Sequence, residues 1–252
     1  MNKSVEPKIL AFLCKWCAQA SAELAGLYRL QYPANIRVVL TLCSGRVDPV
    51  YVLEGLTSGF DGVFIFGCRF GDCHYLDGNI FTHKRMQVTG QLLAMAGIGP
   101  ERLQTRWLSS AEGHLFAEYV SELTELIRGL GPLDHEGDKL RLAAAKRTLE
   151  ALPLRWLMGL ERQLTERENV FHEKLDLQSY HLVMHAMLEE EYQKALLFEA
   201  LRQGPQTVRQ MSAGTGLPVY TVSLRLNDLE RRGLAEFHSH EGTSPRFRLL
   251  AT

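Results

Sequence analysis

The sequence has no cysteine after Cys73, no long apolar run and almost no net charge. Its longest apolar runs, such as residues 63–66, are far too short to cross a bilayer, which predicts no membrane span. A net charge of -1 over 252 residues argues against a nucleic-acid surface spread over the whole chain, but not against a local one. The polar start, residues 1–7, lacks the apolar stretch of a secretory signal, so we expect a cytoplasmic protein.

Cysteine is present in small number and in one region only. All five cysteines lie in the first third of the chain. An odd, clustered set in a cytoplasmic protein is typical of metal binding or catalysis rather than of a disulfide framework. The five are Cys14, Cys17, Cys43, Cys68 and Cys73.

Strand and helix patterns alternate four times in the amino-terminal half. Short apolar, β-branched runs predict strands, and the segments between them have helical spacing. This alternation predicts an α/β domain, a small doubly wound parallel sheet of the flavodoxin-like type, over residues 1–131. The predicted strands are residues 8–13, 36–42, 62–66 and 103–108, and the predicted helices are residues 18–30, 49–59, 82–96 and 111–128.

Three of the cysteines follow predicted strands directly. Cys14, Cys43 and Cys68 end the first, second and third strands, while Cys17 opens a helix and Cys73 lies in the loop after Cys68. Because the carboxyl ends of parallel strands share one edge of a sheet, we expect all five thiols to meet there. Gly45, Gly67 and Gly71 would let backbone pass close to a bulky group at that edge.

Clustered thiolates suit several chemistries. They bind zinc and iron–sulfur clusters alike, and four thiolates hold a [2Fe–2S] or [4Fe–4S] centre. Structural zinc usually takes two tight cysteine pairs, whereas Cys43 stands alone. The segment 14–17, CKWC, follows a strand and opens a helix like a thioredoxin dithiol, but that interpretation leaves three cysteines unexplained. A single buried cysteine is often only a small apolar residue, an explanation that is poor for five together.

Three segments resemble one known family. They are CKWC at 14–17, LCSGRVDP at 42–49 and GCRFGDCHY at 67–75, and the likeness runs from about residue 8 to residue 132. The family is that of the methyl-viologen-reducing hydrogenase delta subunit. The resemblance implies a [2Fe–2S] cluster and a role as an electron bridge. It implies docking on a heterodisulfide-reductase-A-like flavoprotein and exchange of electrons with a hydrogenase or other oxidoreductase module.

A cluster needs four of the five cysteines, and the sequence does not identify the spare one. Cys68 and Cys73 are the firmest candidates, followed by Cys43. The resemblance also draws attention to Arg46, Asp48, His74 and Tyr75 as residues that support the site or contact a partner. For Arg46 and Asp48, an ion pair that caps the following helix explains the pattern equally well. His74 is an alternative ligand of the Rieske type, which the number of thiols disfavours.

The carboxy-terminal half has a different pattern. Residues 132–194 are predicted to form a helical linker, in which Pro153 separates helices over residues 139–152 and 154–165. Residues 195–252 are predicted to form helix, turn, helix and a two-stranded hairpin, which is a winged helix-turn-helix domain. Residues 192–252 hold eight Lys/Arg against five Asp/Glu, a modest excess of positive charge. The second helix offers polar side chains that can contact phosphates and base edges. They are Tyr220, Thr221, Ser223, Arg225 and Asn227. DNA is therefore a possible partner, although protein docking explains the weak charge slightly better.

Two functions follow from these patterns. The first is an iron–sulfur electron-transfer subunit of an anaerobic heterodisulfide-reductase-type complex, which can be electron-bifurcating. The second is a redox-sensing iron–sulfur transcription regulator whose winged helix binds DNA. The sequence contains no substrate pocket, nucleophile–base pair or nucleotide loop that would point to catalysis by the isolated chain, so we expect a subunit rather than an enzyme in its own right.

Overall fold

The computed structural model describes residues 6–250, so residues 1–5 of the predicted polar start and residues 251–252 of the predicted carboxy-terminal domain lie outside the described residues. The chain divides into two compact units between Lys139 and Leu140. Each unit has its own sheet and its own apolar core. No helix within residues 6–250 is both long and apolar enough to span a membrane.

The first unit is built on a parallel four-stranded sheet with the order β2-β1-β3-β4. This confirms the predicted α/β class and parallel sheet, and the order is that of the first four strands of a doubly wound flavodoxin-like sheet. Strand β3 is buried along its whole length, as its continuous apolar sequence requires. Strand β2 forms an edge and is largely exposed. The strands are β1 (Ile9–Cys14), β2 (Ile36–Thr41), β3 (Gly62–Cys68) and β4 (Leu103–Leu108).

Helices cover both faces of this sheet. Helices α1 and α4 pack against each other and against the face that carries Ile9, Phe64 and Phe66. Helix α2 packs on the opposite face, where the backbone at Gly55 closely approaches Leu10. Alternate side chains of each strand thus enter two different cores. The helices are α1 (Ala18–Leu27), α2 (Pro49–Thr57), α3 (Gly78–Met95) and α4 (Gly113–Leu130).

Two helix starts differ from the prediction. Helix α3 begins at Gly78 rather than at residue 82, because Asn79 is buried and donates from its amide to the carbonyls of Cys68 and Arg69. Tertiary contacts therefore hold a first turn that a glycine start would not favour alone. The linker helices were predicted to separate at Pro153, but the break falls at Ala151. Pro153 lies in the first turn of a helix, where no backbone N–H is needed.

The second unit contains five helices and a small antiparallel sheet with the order β5-β7-β6. Helices α7, α8 and α9 enclose an apolar core around Leu197, Met211 and Leu226. Helix α8 starts with a capping box, in which Thr207 and Gln210 bond each other's backbone N–H groups. The elements are α5 (Lys139–Glu150), α6 (Leu152–Thr165), α7 (Leu177–Leu201), β5 (Gln206–Thr207), α8 (Val208–Thr215), α9 (Val219–Arg231), β6 (Ala235–Glu241) and β7 (Ser244–Leu249).

Candidate metal centre

The carboxyl ends of the three neighbouring strands β2, β1 and β3 bring the predicted cysteines to one edge of the sheet. Cys14 is the last residue of β1 and pairs with Thr41 of β2, and Cys68 is the last residue of β3. Cys43 follows β2 by two residues and begins a short 3-10 helix. Cys17 immediately precedes α1. The prediction that parallel strand ends collect these residues agrees with the geometry.

The five sulfur atoms form two adjacent groups. The Cys14 and Cys68 sulfurs are 3.6 Å apart, and Cys17 is within hydrogen-bonding range of Cys68. Cys43 and Cys73 interact with each other, and both sulfurs lie close to Gly78 at the start of α3. Cys14, Cys43, Cys68 and Cys73 are buried and Cys17 is half-buried. All five are free thiols in the structure.

Gly78 is a residue of this site that the sequence analysis missed. A Cβ atom at Gly78 would overlap the Cys43 sulfur and lie 3.3 Å from the Cys73 sulfur. A Cβ atom at Gly45 would lie 2.9 Å from the carbonyl oxygen of Gly78. The two backbones therefore touch beside the thiols, and only glycine fits at either position. No local signal marks Gly78, because its constraint comes from residues that are distant in sequence.

Gly67 and Gly71, which were also predicted to border the site, are constrained by other features of the fold. At Gly67 the close neighbours are the side chains of Trp107 and Ser44 rather than the cysteines. Gly71 has open space around it and a φ of 89°, so it serves a turn of the loop. Of the three, only Gly45 lies against the backbone that borders the thiols.

The loop between Cys68 and Gly78 is fixed at both ends. Asn79 holds the carbonyls of Cys68 and Arg69 through bonds of 3.0 and 2.8 Å. The Arg69 guanidinium makes a two-point ion pair with Glu112, which begins α4. Cys73 is thereby held in a defined position although it lies outside regular structure.

Aromatic side chains cover the outer side of the cysteines. The rings of Trp16 and His74 stack with centroids 3.6 Å apart. The Trp16 indole N–H donates to the Tyr75 hydroxyl at 3.3 Å. Because His74 is exposed and stacked in this way, the geometry supports a covering role better than ligation. Asp48 accepts from the Val50 N–H at 3.0 Å and caps α2.

Backbone N–H groups point at the sulfurs. The Gly45 N–H donates to Cys43 Sγ at 3.3 Å. The hydrogen bond from Cys68 lowers the pKa of Cys14 to about 6, against the opposing effect of burial, and the N–H groups of Trp16 and Cys17 lower that pKa further. The site is therefore prepared to stabilise sulfur-centred negative charge before any metal binds.

Three of the other thiols, those of Cys17, Cys43 and Cys68, have a raised pKa when no metal is present. The hydrogen bond to Cys14 raises the pKa of Cys68 far above its ordinary value. Burial is the main effect that raises the pKa of Cys17 and of Cys43. A metal that binds these thiols would have to displace their protons.

Cys14 and Cys68 lie close enough together for both sulfurs to bind one metal. Two thiolates on one tetrahedral metal, with bonds of about 2.3 Å, lie about 3.8 Å apart, close to the separation of Cys14 and Cys68. Yet no three His, Cys, Asp or Glu side chains among residues 6–250 are gathered tightly enough to hold one ion. Cys14 is only 1% exposed, which argues against a dithiol that attacks substrate disulfides.

In the second unit, the polar residues predicted on α9 are only partly available. Tyr220, Ser223 and Asn227 are exposed. Arg225 is engaged within the unit, because it donates to Gln193 at 2.9 Å and pairs with Asp228 at 3.2 Å. The exposed face of α9 therefore offers few cations to a phosphate backbone.

Comparison with known proteins gives matches over the first unit. Residues 9–131 match the family described as methyl-viologen-reducing hydrogenase, delta subunit. The iron-sulfur subunit of the F420-non-reducing hydrogenase of Archaeoglobus profundus is 43% identical over 136 residues, which are 54% of this chain and 99% of that protein. The corresponding iron-sulfur subunit of the vhc hydrogenase of Methanococcus voltae is 40% identical over 132 residues, 52% of this chain and 92% of that protein.

A third relative is a much longer protein. It is the A component of the Ferredoxin/F(420)H(2)-dependent CoB-CoM heterodisulfide reductase of Methanosarcina acetivorans, which is 45% identical over 135 residues. The match covers 54% of this chain but only 17% of that protein.

Proposed function

Because the chain belongs to the methyl-viologen-reducing hydrogenase delta subunit family, we propose that it is an iron–sulfur electron-transfer subunit of an oxidoreductase complex. The observation that carries the proposal is the meeting of five thiols at one edge of the parallel sheet. The relatives named as iron-sulfur subunits support a cluster of this kind.

The proposed cofactor is a [2Fe–2S] cluster held by four of the five cysteines. Cys43 and Cys73 would supply one side, and Cys68 with Cys14 or Cys17 the other. When bound, such a cluster accepts and donates single electrons. The chain's own part is to bury the sulfurs, to hold the loop of Cys73 through Asn79 and to direct backbone N–H groups at sulfur. Such hydrogen bonds raise the reduction potential of a cluster.

The proposed partners are a heterodisulfide-reductase-A-like flavoprotein and another oxidoreductase module, such as a hydrogenase or a formate dehydrogenase. Support comes from the Methanosarcina relative, in which the matching segment is part of a longer chain named as the A component of a heterodisulfide reductase. We place the complex in the cytoplasm of an anaerobic organism, where it can be electron-bifurcating. In this proposal the isolated chain relays electrons and does not itself make or break a substrate bond.

Anaerobic purification followed by iron, sulfide and EPR analysis tests the cluster. We expect two irons and two sulfides per chain and an EPR signal upon reduction. Serine replacement of each cysteine in turn should abolish or alter the signal for four of them and spare it for one. Zinc as the sole bound metal, or five replacements without effect, would refute the proposal.

The second unit supports a further part of the proposal, a winged helix-turn-helix domain over residues 195–252 joined by a helical linker over residues 132–194. Support comes from the sequence of elements α8, α9, β6 and β7, in which two helices precede an antiparallel hairpin. This domain keeps the second candidate function open, a redox-sensing transcription regulator. A salt-dependent, sequence-selective mobility shift of DNA would favour that function, and an unchanged mobility would favour protein docking.

A further inference from the structure

An open cavity of about 570 Å³ adjoins the candidate metal centre. Cys43 and Gly78 lie on one side of it, and Leu42, Tyr75 and Phe81 make most of the remaining wall apolar. Cys43 lines this cavity, so an outside molecule bound there comes close to a sulfur atom of the site. Its volume lies in the range of ordinary binding pockets.

Two arginines line the cavity without a carboxylate partner. Arg46 is exposed, and no hydrogen bond or ion pair of its side chain occurs among residues 6–250. Arg85 donates one bond of 3.0 Å to the Gly45 carbonyl, which leaves most of its five N–H donors available. Two guanidinium groups without a carboxylate partner, beside an apolar wall, suit a carboxylate attached to an apolar body.

The rim of the cavity is too apolar for a site that serves a small anion alone. Leu42 is 60% exposed, and Leu76, next to the lining residue Tyr75, is 82% exposed. Trp16 continues this surface through its hydrogen bond to Tyr75. Exposed aromatic and aliphatic residues around a pocket, with arginines beside them, are typical of a protein interface. We define the docking face as Trp16, Leu42, Arg46, Tyr75, Leu76 and Arg85.

We propose that this docking face binds an acidic segment of the redox partner, with an apolar side chain in the cavity and a carboxylate against Arg46 and Arg85. The inference rests on the proposed electron-transfer function, since docking here places the partner beside Cys43. To the proposed function, the inference adds the place on the protein where the partner binds and the chemistry of the partner segment that binds there. The opposite charge of the segment would guide association as well as hold it.

The test uses the full-length, cluster-loaded chain and the heterodisulfide-reductase-A-like flavoprotein of the same organism, purified separately. Arg46→Glu and Arg85→Gln should each weaken binding about tenfold or more, and the loss should shrink as salt is raised. Arg85→Gln keeps a donor for the Gly45 carbonyl. The matched control is Arg37→Glu, because Arg37 is an exposed arginine at the opposite end of β2. Iron content should be unchanged in all three variants.

A photo-crosslinking residue at Leu42 identifies the segment itself. We expect a crosslink to a flavoprotein peptide rich in Asp and Glu, and none from the same residue placed at Leu27, an exposed leucine at the far end of α1. If wild type binds and the Arg46 and Arg85 variants bind equally well, or if the crosslinked peptide has no acidic residue, the inference is overturned and the proposed function stands. If cluster-loaded wild type has no affinity for the flavoprotein, the proposed partner fails as well.

Discussion

At the scale of single residues, Gly78 sets the space in which Cys43 and Cys73 sit. A side chain at this position would overlap one sulfur and press on the other. We therefore expect Gly78→Ala to lower iron and sulfide content severely. The control is Gly90→Ala, in the same helix, where nothing lies within 4 Å of the added carbon. That change should keep the iron and raise stability by about 0.5–1 kcal/mol.

Iron analysis and thermal unfolding of both alanine variants test whether the cofactor requires glycine at position 78. Full iron content in Gly78→Ala would show that the thiols can move apart without losing the cofactor. Iron loss in both variants would show that overlap of the residue 78 side chain with the sulfurs is not the cause of the loss.

Cys14 gives the metal-free chain a pH dependence. The hydrogen bond from Cys68 lowers the pKa of Cys14 to about 6, whereas an unfolded thiol has a pKa of about 8.5. Between these values the folded state binds fewer protons than the unfolded state, so stability rises with pH. The stability that the lowered pKa of Cys14 adds to the folded state is lost as pH falls through about 6. Above about 8.5 the trend reverses, because the raised pKa values of Cys17, Cys43 and Cys68 keep protons on the folded chain.

Thiolate absorbance in the far ultraviolet follows this titration directly in the metal-free chain. We expect a step of one thiolate centred near pH 6, and Cys14→Ser should remove it. A first step only above about pH 8, where an ordinary thiol titrates, would contradict the assignment. Urea unfolding on either side of the Cys14 pKa should show the higher stability at the higher pH.

At the scale of secondary-structure elements, the start of α8 depends on its capping box. Thr207 accepts from the Gln210 N–H at 3.2 Å, and Gln210 accepts from the Thr207 N–H at 2.8 Å. Loss of a hydroxyl cap costs about 1 kcal/mol. Thr207→Ala should therefore increase hydrogen exchange of the α8 amides about fivefold, if exchange reports local opening of the helix. Thr207→Ser keeps the hydroxyl and should exchange nearly like wild type, and equal exchange in the alanine and serine variants would argue against the cap.

The same scale shows where sequence patterns succeed. Sequence patterns marked all four strands of the parallel sheet. The apolar run of β3 fits a strand buried on both sides, whereas β2 is a largely exposed edge whose β-branched residues favoured a strand. Helix starts were predicted less accurately than strands. The first turn of α3 is held by Asn79, whose two acceptors belong to the preceding strand and loop, so no local pattern revealed it.

At the scale of the whole molecule, the two compact units predict two separable pieces. All five cysteines and the core that surrounds them lie in the unit that ends at Lys139. The family match covers residues 9–131 of this unit, and 99% of the Archaeoglobus relative is covered by a match of 136 residues. We expect a fragment ending at Lys139 to fold and to bind as much iron as the full chain, and a fragment starting at Leu140 to bind none. Iron analysis and circular dichroism of both fragments test this, and an unfolded or iron-free first fragment would contradict it.

The sequence alone determined that thiols collect at one edge of a sheet. Residues that end neighbouring parallel strands must share that edge, so the alternation of strands and helices and the positions of Cys14, Cys43 and Cys68 were sufficient. The tertiary structure decided which sulfurs are neighbours, why Gly78 is a glycine, and that Arg46 and Arg85 line a cavity beside Cys43. These features depend on distances between loops that are far apart in the chain. Such distances are set by how helices pack on the sheet, which no local pattern of residues encodes.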